Sequence, residues 1–329
     1  MLKVLITIDT ETHPISRNWR EDRLAADMRR DLYGEVDGHE VGLEYQLQTL
    51  KQHGLKASFM VESLFAAVPE IGGQPLQKVV QAIVSGGHDV QIHPHAEWVK
   101  YIPDLGIPYR SHLFSAYPAA EQEAIIRFAG LRLEQAGAPR PMAFRAGGFD
   151  ANADTLIALA RCGIRYDSSF NRTYGQKRCG FPAPSSTGHP TDYNGVHELP
   201  VAVFEDFVGH FRPAQLCACS TAEMIHALHT AEGAGWEYFV IVSHSFEMLT
   251  RRRHRTKPPV IRWDVVERFE RLCQFLAENR QRFQVVRFTD LDNFAAVPSS
   301  NGVHRDIKGR FKNTVSRVWE QAASRIQTY

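Results

Sequence analysis

Residues 3–11 read KVLITIDTE, an apolar and β-branched run that ends in two carboxylates, Asp9 and Glu11. A short continuous run of this kind is typical of a buried strand in a parallel sheet. Further runs of the same type recur along the chain, at residues 56–61, 89–92, 142–144, 164–166, 198–203, 238–242 and 284–288. The pattern predicts a sheet of buried strands.

Segments with apolar spacings of three and four separate most of these strands. They predict helices at residues 41–53, 76–85, 121–136, 153–161, 221–232 and 263–280. Strand alternating with helix indicates βαβ units and a mainly parallel α/β sheet, which at this repeat number can close into a barrel of about 250 residues. We therefore expect one domain over residues 1–295, followed by a linker and tail over residues 296–329.

Composition narrows the functional class. The formal net charge is +1, so no basic excess points to nucleic acid. No stretch approaches the roughly 20 consecutive apolar residues of a membrane span. The first residues lack the pattern of a secretory signal, and an odd number of cysteines, 5, suits a reducing compartment, so we expect a cytoplasmic protein. Cys217 and Cys219 are the only closely spaced cysteines, and a single pair without a second one favours two ordinary thiols over a zinc site.

Titratable side chains follow five of the predicted strands. Because the carboxyl ends of parallel strands meet at one face, these groups are expected to converge there, although each alone has an ordinary structural explanation. They are Asp9 and Glu11 after the first run, His93, His95 and Glu97 after the third, Arg145 after the fourth, Asp167 after the fifth and His244 after the seventh.

A carboxylate with two imidazoles is a donor set that suits a borderline divalent metal such as Zn²⁺. Asp9 and Glu11 are two residues apart, so on an extended strand they point the same way, and one can ligate while the other acts as a base. His93 and His95 have the same spacing across Pro94. A metal site is therefore predicted at this face.

At these positions the sequence resembles the polysaccharide deacetylases of the NodB-homology superfamily, carbohydrate esterase family four. The likeness covers about residues 1–295, and its motifs occur in the family's order. They are TIDTE at 7–11 for the family's T-F-D-D, GLKASF at 54–59, GHDVQIH at 87–93, FRAGG at 144–148, YDSS at 166–169 and IVSH at 241–244.

The resemblance implies a distorted (β/α) barrel of about seven to eight parallel strands, a divalent metal that is usually zinc, and hydrolysis of an N-acetyl group from a sugar. Carried over, Asp9 is the general base, Arg145 the cation that keeps Asp9 ionised, and His244 the general acid. Asp167 is then the carboxylate that keeps His244 protonated, and His93 is a metal ligand.

Two departures from the family's pattern concern the metal. Thr10 replaces the second Asp of the first motif, so the carboxylate ligand is either supplied by Glu11 or absent. The family's second metal histidine comes four residues after the first, where this chain has Glu97. His95 is favoured over Glu97 for this ligand because it preserves two imidazoles and one carboxylate.

The expected substrate is a surface-polysaccharide or O-antigen precursor, as a nucleotide-linked or lipid-linked sugar. Two alternatives stay open: hydrolysis of a non-sugar amide, as in the allantoinase-like branch of the superfamily, and a barrel that has lost catalysis and only binds glycans. Metal content and a substrate panel distinguish them.

The tail predicts an amphipathic helix. Its apolar positions recur at helical spacing. From Asn301 onward the tail has six basic and two acidic residues, which gives it a net charge of +4. The helix either packs its apolar stripe on the barrel or a second subunit, or lies on an anionic membrane surface. The apolar positions are Phe311, Val315, Val318, Trp319, Ala322 and Ile326.

Overall fold

The computed structural model describes residues 1–12, 24–175, 178–184, 187–250, 259–291 and 306–327. Nine strands of the described chain form the main sheet, and the other seven described strands form three small sheets. The strands are β1 (Leu2–Thr10), β2 (Glu35–Val36), β3 (His39–Glu40), β4 (Ser58–Val61), β5 (Asp89–Ile92), β6 (Ala143–Phe144), β7 (Ala151–Asn152), β8 (Tyr166–Asp167), β9 (Cys179–Gly180), β10 (Thr191–Tyr193), β11 (Val196–Glu198), β12 (Val203–Phe207), β13 (His210–Pro213), β14 (Tyr238–His244), β15 (Phe283–Val285) and β16 (Ile307–Lys308).

The helices cover the sheet. They are α1 (Leu24–Met28), α2 (Leu43–Gln52), α3 (Gln74–Ser85), α4 (Ala119–Gln135), α5 (Ala153–Cys162), α6 (Thr221–Gly233), α7 (Trp263–Glu278) and α8 (Phe311–Gln327). All six helices expected from apolar periodicity between residues 41 and 280 are present, with boundaries shifted by at most two residues. No helix of the described chain is both long enough and apolar enough to cross a bilayer.

The main sheet runs β10-β11-β8-β6-β5-β4-β1-β14, and β15 pairs with the start of β1. Its pairs are parallel apart from β10 and β11. The sheet curls until an isolated parallel bridge joins Val201 to Val240 of β14. This is a distorted (β/α) barrel, which confirms the predicted fold class.

Alternation along β1 decides which side chains enter the barrel. Val4, Ile6 and Ile8 belong to the large core between sheet and helices, whereas Leu5 packs in a separate inner cluster. Successive side chains of a strand point to opposite faces, so the odd positions that follow Leu5 also face inward. Asp9 therefore lies inside the barrel mouth, in register with His244 of β14.

The predicted strand at residues 198–203 is wrong. β11 ends at Glu198 and β12 begins at Val203, with Pro200 between them. Proline has no N–H to donate to a ladder, so it interrupts a central strand. The chain then forms an antiparallel hairpin of β12 and β13, which was not predicted from the sequence. The turn between the two strands contains Gly209 at φ 74°.

The tail returns to the barrel. β16 pairs with β12, and α8 packs against α6 and β12. The predicted start of the linker, at residue 296, lies outside the described residues, so the division at residue 295 stays a prediction. Phe311 and Trp319, from the predicted apolar face of α8, are 69% and 73% exposed.

Candidate active site

The titratable groups that follow β1, β5 and β14 line one cavity of about 390 Å³ at the carboxyl ends of the strands. Asp9 lies on β1 and Glu11 directly follows it, His93 and His95 follow β5, and His244 ends β14. Parallel strands bring their carboxyl ends to the same edge, which explains why residues more than two hundred positions apart meet here.

Glu11, His93 and His95 form a compact, buried cluster. Each offers one ligand atom, and these atoms lie within 4.8 Å of one another. Glu11 Oε2 is 3.0 Å from His93 Nε2 and also contacts His95 Nε2, and the two Nε2 atoms are 3.3 Å apart. In the described part of the chain no other group of histidine, cysteine and carboxylate side chains has this arrangement, Cys217 and Cys219 included.

The imidazoles are oriented as metal ligands are. His93 Nδ1 lies 2.8 Å from the carbonyl oxygen of Arg145, so it donates its proton there and leaves the Nε2 lone pair directed into the cluster. Glu97 Oε1 lies 3.4 Å from His95 Nδ1, on the side of the ring away from Glu11. One carboxylate and two imidazoles leave a coordination position for water, which fits a catalytic divalent cation.

Electrostatics within the cluster also favour a cation. Burial lowers the pKa of His95, but the adjacent Glu11 and Glu97 outweigh burial and hold that pKa well above its usual value. A cation at this point would take the place of the proton that Glu11 and His95 share.

Glu62, which directly follows β4, is a supporting residue that the sequence analysis missed. Its carboxyl accepts backbone hydrogen bonds from Leu64 and His95, so it fixes the backbone that carries His95. Burial raises the pKa of Glu62 to about 8. The sequence did contain a signal for this residue, because Glu62 is a charged residue directly after the predicted strand at residues 56–61.

Arg145 forms a buried ion pair with Asp9. Nη1 donates to Asp9 Oδ1 at 2.5 Å, Nη2 to the Thr7 and Ser168 hydroxyls, and Nε to the Ser168 carbonyl. Arg145 is 0% and Asp9 1% exposed. The free oxygen, Asp9 Oδ2, lies 3.8 Å from His244 Nε2 and 3.9 Å from His93 Nε2. One oxygen of Asp9 is thus held by a cation while the other faces the reaction space.

The carboxylate beside His244 is Glu247. Its Oε1 lies 3.3 Å from His244 Nδ1 and accepts a 2.6 Å hydrogen bond from Gln215. Burial lowers the pKa of His244, but Glu247, and after it Asp9 and Glu11, raise it above its usual value overall. Burial alone would raise the pKa of Glu247, yet His244, Cys217 and Gln215 hold it below its usual range.

Asp167 does not lie beside His244, so the prediction that Asp167 keeps His244 protonated is wrong. Asp167 lies on β8, where its Oδ1 accepts hydrogen bonds from the Ser169 hydroxyl and backbone N–H. Burial raises the pKa of this carboxyl and of the neighbouring Glu198 carboxyl. Asp167 and Glu198 support the loop that Arg145 contacts, where Glu198 accepts the Phe170 N–H. Glu247 was missed because it sits in a turn after β14, where no motif or periodicity marked it.

Aromatic side chains and arginines form the walls of the cavity. Phe149 and Tyr174 stack with ring centroids 5.6 Å apart, and Phe149 has φ of 62°, a conformation that bulky residues rarely adopt. Arg178 and Arg262 also line the cavity. Arg262 pairs with Asp264 at 3.1 Å, whereas Arg178 has no ion-pair partner among the described residues.

Gly147 lets the loop after β6 pass close to His95. A Cβ at Gly147 would come within 2.8 Å of the His95 ring and of the Pro94 carbonyl, to which the Gly147 N–H also donates. Any larger residue would displace His95. This close approach explains why the first glycine of the FRAGG segment, Gly147, has no side chain.

The fold matches solved structures of low sequence identity. A chain described as "putative polysaccharide deacetylase from Mycobacterium smegmatis" is similar over 88% of both chains, with a TM-score of 0.53 and 18% identity. A 4-alpha-glucanotransferase from Thermococcus litoralis is similar over 89% of this chain and 40% of that one, with a TM-score of 0.56 and 9% identity. No family model and no curated protein matches the sequence.

These similarities confirm the resemblance to polysaccharide deacetylases at the level of the fold. The glucanotransferase, whose name denotes another reaction, shares that fold, so the activity has to be argued from the site.

The cluster predicts a measurable metal affinity. Zn²⁺ should bind at one equivalent, and His93→Ala should weaken binding by about 100-fold or more, because even changes behind a metal ligand cost 10–100-fold. Isothermal titration calorimetry measures both. His39→Ala, which removes an exposed imidazole outside the cluster, should bind Zn²⁺ like the unmodified protein. Equal affinity in the His93 variant would remove His93 from the site.

Proposed function

We propose that this protein is a metal-dependent hydrolase that removes an N-acetyl group from a sugar in a surface-polysaccharide or O-antigen precursor. The observation that carries the proposal is that one cavity contains the Glu11, His93 and His95 cluster together with Asp9 and His244. Asp9 is held by Arg145, and His244 is held by Glu247. The fold shared with a described polysaccharide deacetylase supports the same conclusion.

Glu11, His93 and His95 would hold the metal, for which Zn²⁺ suits the donor set. When bound, such a cation polarises an acyl carbonyl and lowers the pKa of water toward about 7. Glu97 at His95 Nδ1 and the Arg145 carbonyl at His93 Nδ1 keep the two rings in place.

Asp9 serves as the general base. Its Oδ2 faces the cavity, while Arg145 stabilises the carboxylate form through Oδ1. The carboxylate takes a proton from the attacking water as the oxygen adds to the amide carbonyl. Because a guanidinium stays protonated at all working pH values, Arg145 orients the base without competing for that proton.

His244 serves as the general acid. Glu247 at Nδ1 favours the imidazolium form, so Nε2 carries a proton toward the cavity. That proton passes to the nitrogen of the departing sugar as the C–N bond breaks, giving an amine and acetate. The opposite requirements of base and acid are met by opposite neighbours, a cation at Asp9 and a carboxylate at His244.

The cavity walls suit a charged sugar derivative. Tyr174, 44% exposed and stacked on Phe149, offers an aromatic face of the kind that packs against the apolar face of a sugar ring. Arg178, which has no ion-pair partner among the described residues, offers a guanidinium to an anion. A phosphate of a nucleotide-linked or lipid-linked sugar fits this position.

Loss of the general base predicts a large loss of rate. Asp9→Asn should lower kcat for acetate release by about 10²–10⁴-fold, the typical contribution of general acid–base catalysis. Asp104→Asn, an exposed carboxylate, is the matched control and should leave kcat unchanged. Acetate release from a panel of N-acetylated sugars and non-sugar amides measures the rate. A fully active Asp9→Asn protein would overturn the mechanism, and a metal-loaded protein inactive on every amide would favour a glycan-binding role.

The pair of His244 and Glu247 predicts a shift of the pH profile. Activity needs protonated His244, so it falls as pH rises through the raised pKa of that residue. Glu247→Gln removes the leading group that raises this pKa, while Asp9 and Glu11 remain, so the alkaline limb of kcat/KM should move to lower pH. Glu134→Gln, on the surface of α4, should leave the limb in place. An unmoved alkaline limb in the Glu247 variant would contradict this role.

The position of Arg178 predicts a preference for anionic substrates. Arg178→Gln should raise KM about tenfold for a nucleotide-linked N-acetylhexosamine and leave kcat and the KM of the free N-acetylhexosamine unchanged, because only the first carries phosphate. Arg140→Gln, an exposed arginine elsewhere, is the control. An unchanged KM for the nucleotide-linked substrate in the Arg178 variant would remove Arg178 from substrate recognition.

A further inference from the structure

We propose that the outward face of α8 and the turn of the β12–β13 hairpin form one surface that binds membranes rich in anionic phospholipid. The inference concerns a surface outside the catalytic cavity and does not depend on the proposed reaction. It arises from an unusual orientation of the tail helix.

The tail helix docks through its polar side. Arg317, 3% exposed, donates from Nη2 to Asp206 Oδ2 and from Nε to Glu223 Oε1, both at 3.0 Å. Thr314, one turn earlier, is fully buried, and Asn313 donates to the Ala222 carbonyl. Breaking a buried ion pair is costly, so these contacts fix the rotation of the helix about its axis.

With that side inward, the apolar side faces solvent. Phe311, Val318 and Trp319 are 69%, 50% and 73% exposed, and Val315 between them is 37% exposed. Their spacing places them on one face of the helix. An ordinary surface helix has the reverse arrangement, with its apolar stripe on the core.

The neighbouring hairpin extends this apolar surface. Phe207, 45% exposed, packs edge-on against Phe311 with ring centroids 6.3 Å apart, and Val208 beside it is completely exposed. Two separate elements thus present large apolar side chains at one place. Single exposed apolar residues need no explanation, but a contiguous patch marks an interaction surface.

The charge around the patch identifies the partner. Lys308, Arg310 and Lys312 are exposed and lie next to it in the chain. Of the nearby acidic groups, Asp306 pairs with Arg172 at 2.5 Å and Asp206 is enclosed by basic side chains. The Glu205 carboxyl accepts the Gly209 N–H within the hairpin turn. Apolar side chains flanked by lysine and arginine are the features with which amphipathic helices bind anionic membrane surfaces.

The same charge disfavours a second copy of the chain as the partner. A two-fold interface places the same patch on both subunits, so the three cations of one copy would approach those of the other. An anionic bilayer instead pairs every cation with a lipid phosphate and receives the aromatic side chains at the headgroup level.

An ion pair links the segment just before the patch to the part of the chain that reaches the cavity rim. Asp306, just before β16, pairs with Arg172, whose guanidinium lies 3.8 Å above the Phe211 ring of β13. Tyr174, two residues further along the chain, lines the cavity. A membrane bound at the patch would therefore lie beside the cavity opening.

Vesicle co-sedimentation of the full-length protein tests the proposal. We expect binding to vesicles containing phosphatidylglycerol, weaker binding to pure phosphatidylcholine, and loss of binding at high salt. The double variant Phe311→Ser/Trp319→Ser should reduce the bound fraction by about tenfold or more, because it removes the aromatic side chains that insert. Leu131→Ser/Ile157→Ser, which removes two apolar side chains of similar exposure on α4 and α5, should bind normally.

A second variant and a mass measurement keep the test decisive. Lys308→Glu/Lys312→Glu leaves the apolar side chains intact and should abolish the preference for phosphatidylglycerol. Analytical ultracentrifugation should show the same mass for the unmodified protein and both tail variants. Absence of binding to phosphatidylglycerol vesicles, binding of both tail variants equal to that of the unmodified protein, or a dimer that the Phe311→Ser/Trp319→Ser change dissociates would each overturn the proposal.

Discussion

The site depends on the buried ion pair between Arg145 and Asp9. Both groups are almost completely removed from water, so neither charge would be tolerated alone, and the guanidinium satisfies its donors on Asp9, Thr7 and Ser168. The carbonyl of the same Arg145 accepts the proton of His93 Nδ1. One residue therefore orients both the proposed base and a proposed metal ligand, and it ties the ends of β1, β6 and β8 together across the barrel mouth.

Around this pair the barrel mouth brings several buried carboxyl groups together. Glu11 shares its proton-binding position with His95, Glu62 is held by two backbone N–H groups, and Glu247 is held by His244. Burial raises the pKa of Glu62 to about 8, whereas at Glu247 the raising effect of burial is outweighed by His244, Cys217 and Gln215, which hold the pKa of that carboxyl below its usual range. Carboxyls in one cavity thus differ in proton affinity, as acid and base chemistry requires. The cluster of Glu11 with two imidazoles is where a divalent cation would bind.

The tail shows the same reliance on buried charge. Arg317 enters a site formed by Asp206 and Glu223, and that contact sets the orientation of α8 more strongly than its apolar residues do. Hydrophobic periodicity predicts that a helix has two faces, but it cannot state which face is inward when a polar residue completes a buried ion-pair network. The predicted amphipathic helix is present, and its described apolar side chains face solvent.

The sequence by itself determined the parallel barrel, the helices and the strand-end positions of Asp9, His93, Arg145 and His244, because buried strands, amphipathic helices and their ends leave local signals of period, length and polarity. Only the tertiary structure decided that Glu247, rather than Asp167, is the carboxylate at His244, and that Glu62 supports His95. Those pairings join segments whose side-chain directions depend on strand register and on turns after the strands, such as the one that follows β14. Register and turn geometry arise from the packing of the whole sheet, so no local pattern of residues contains them.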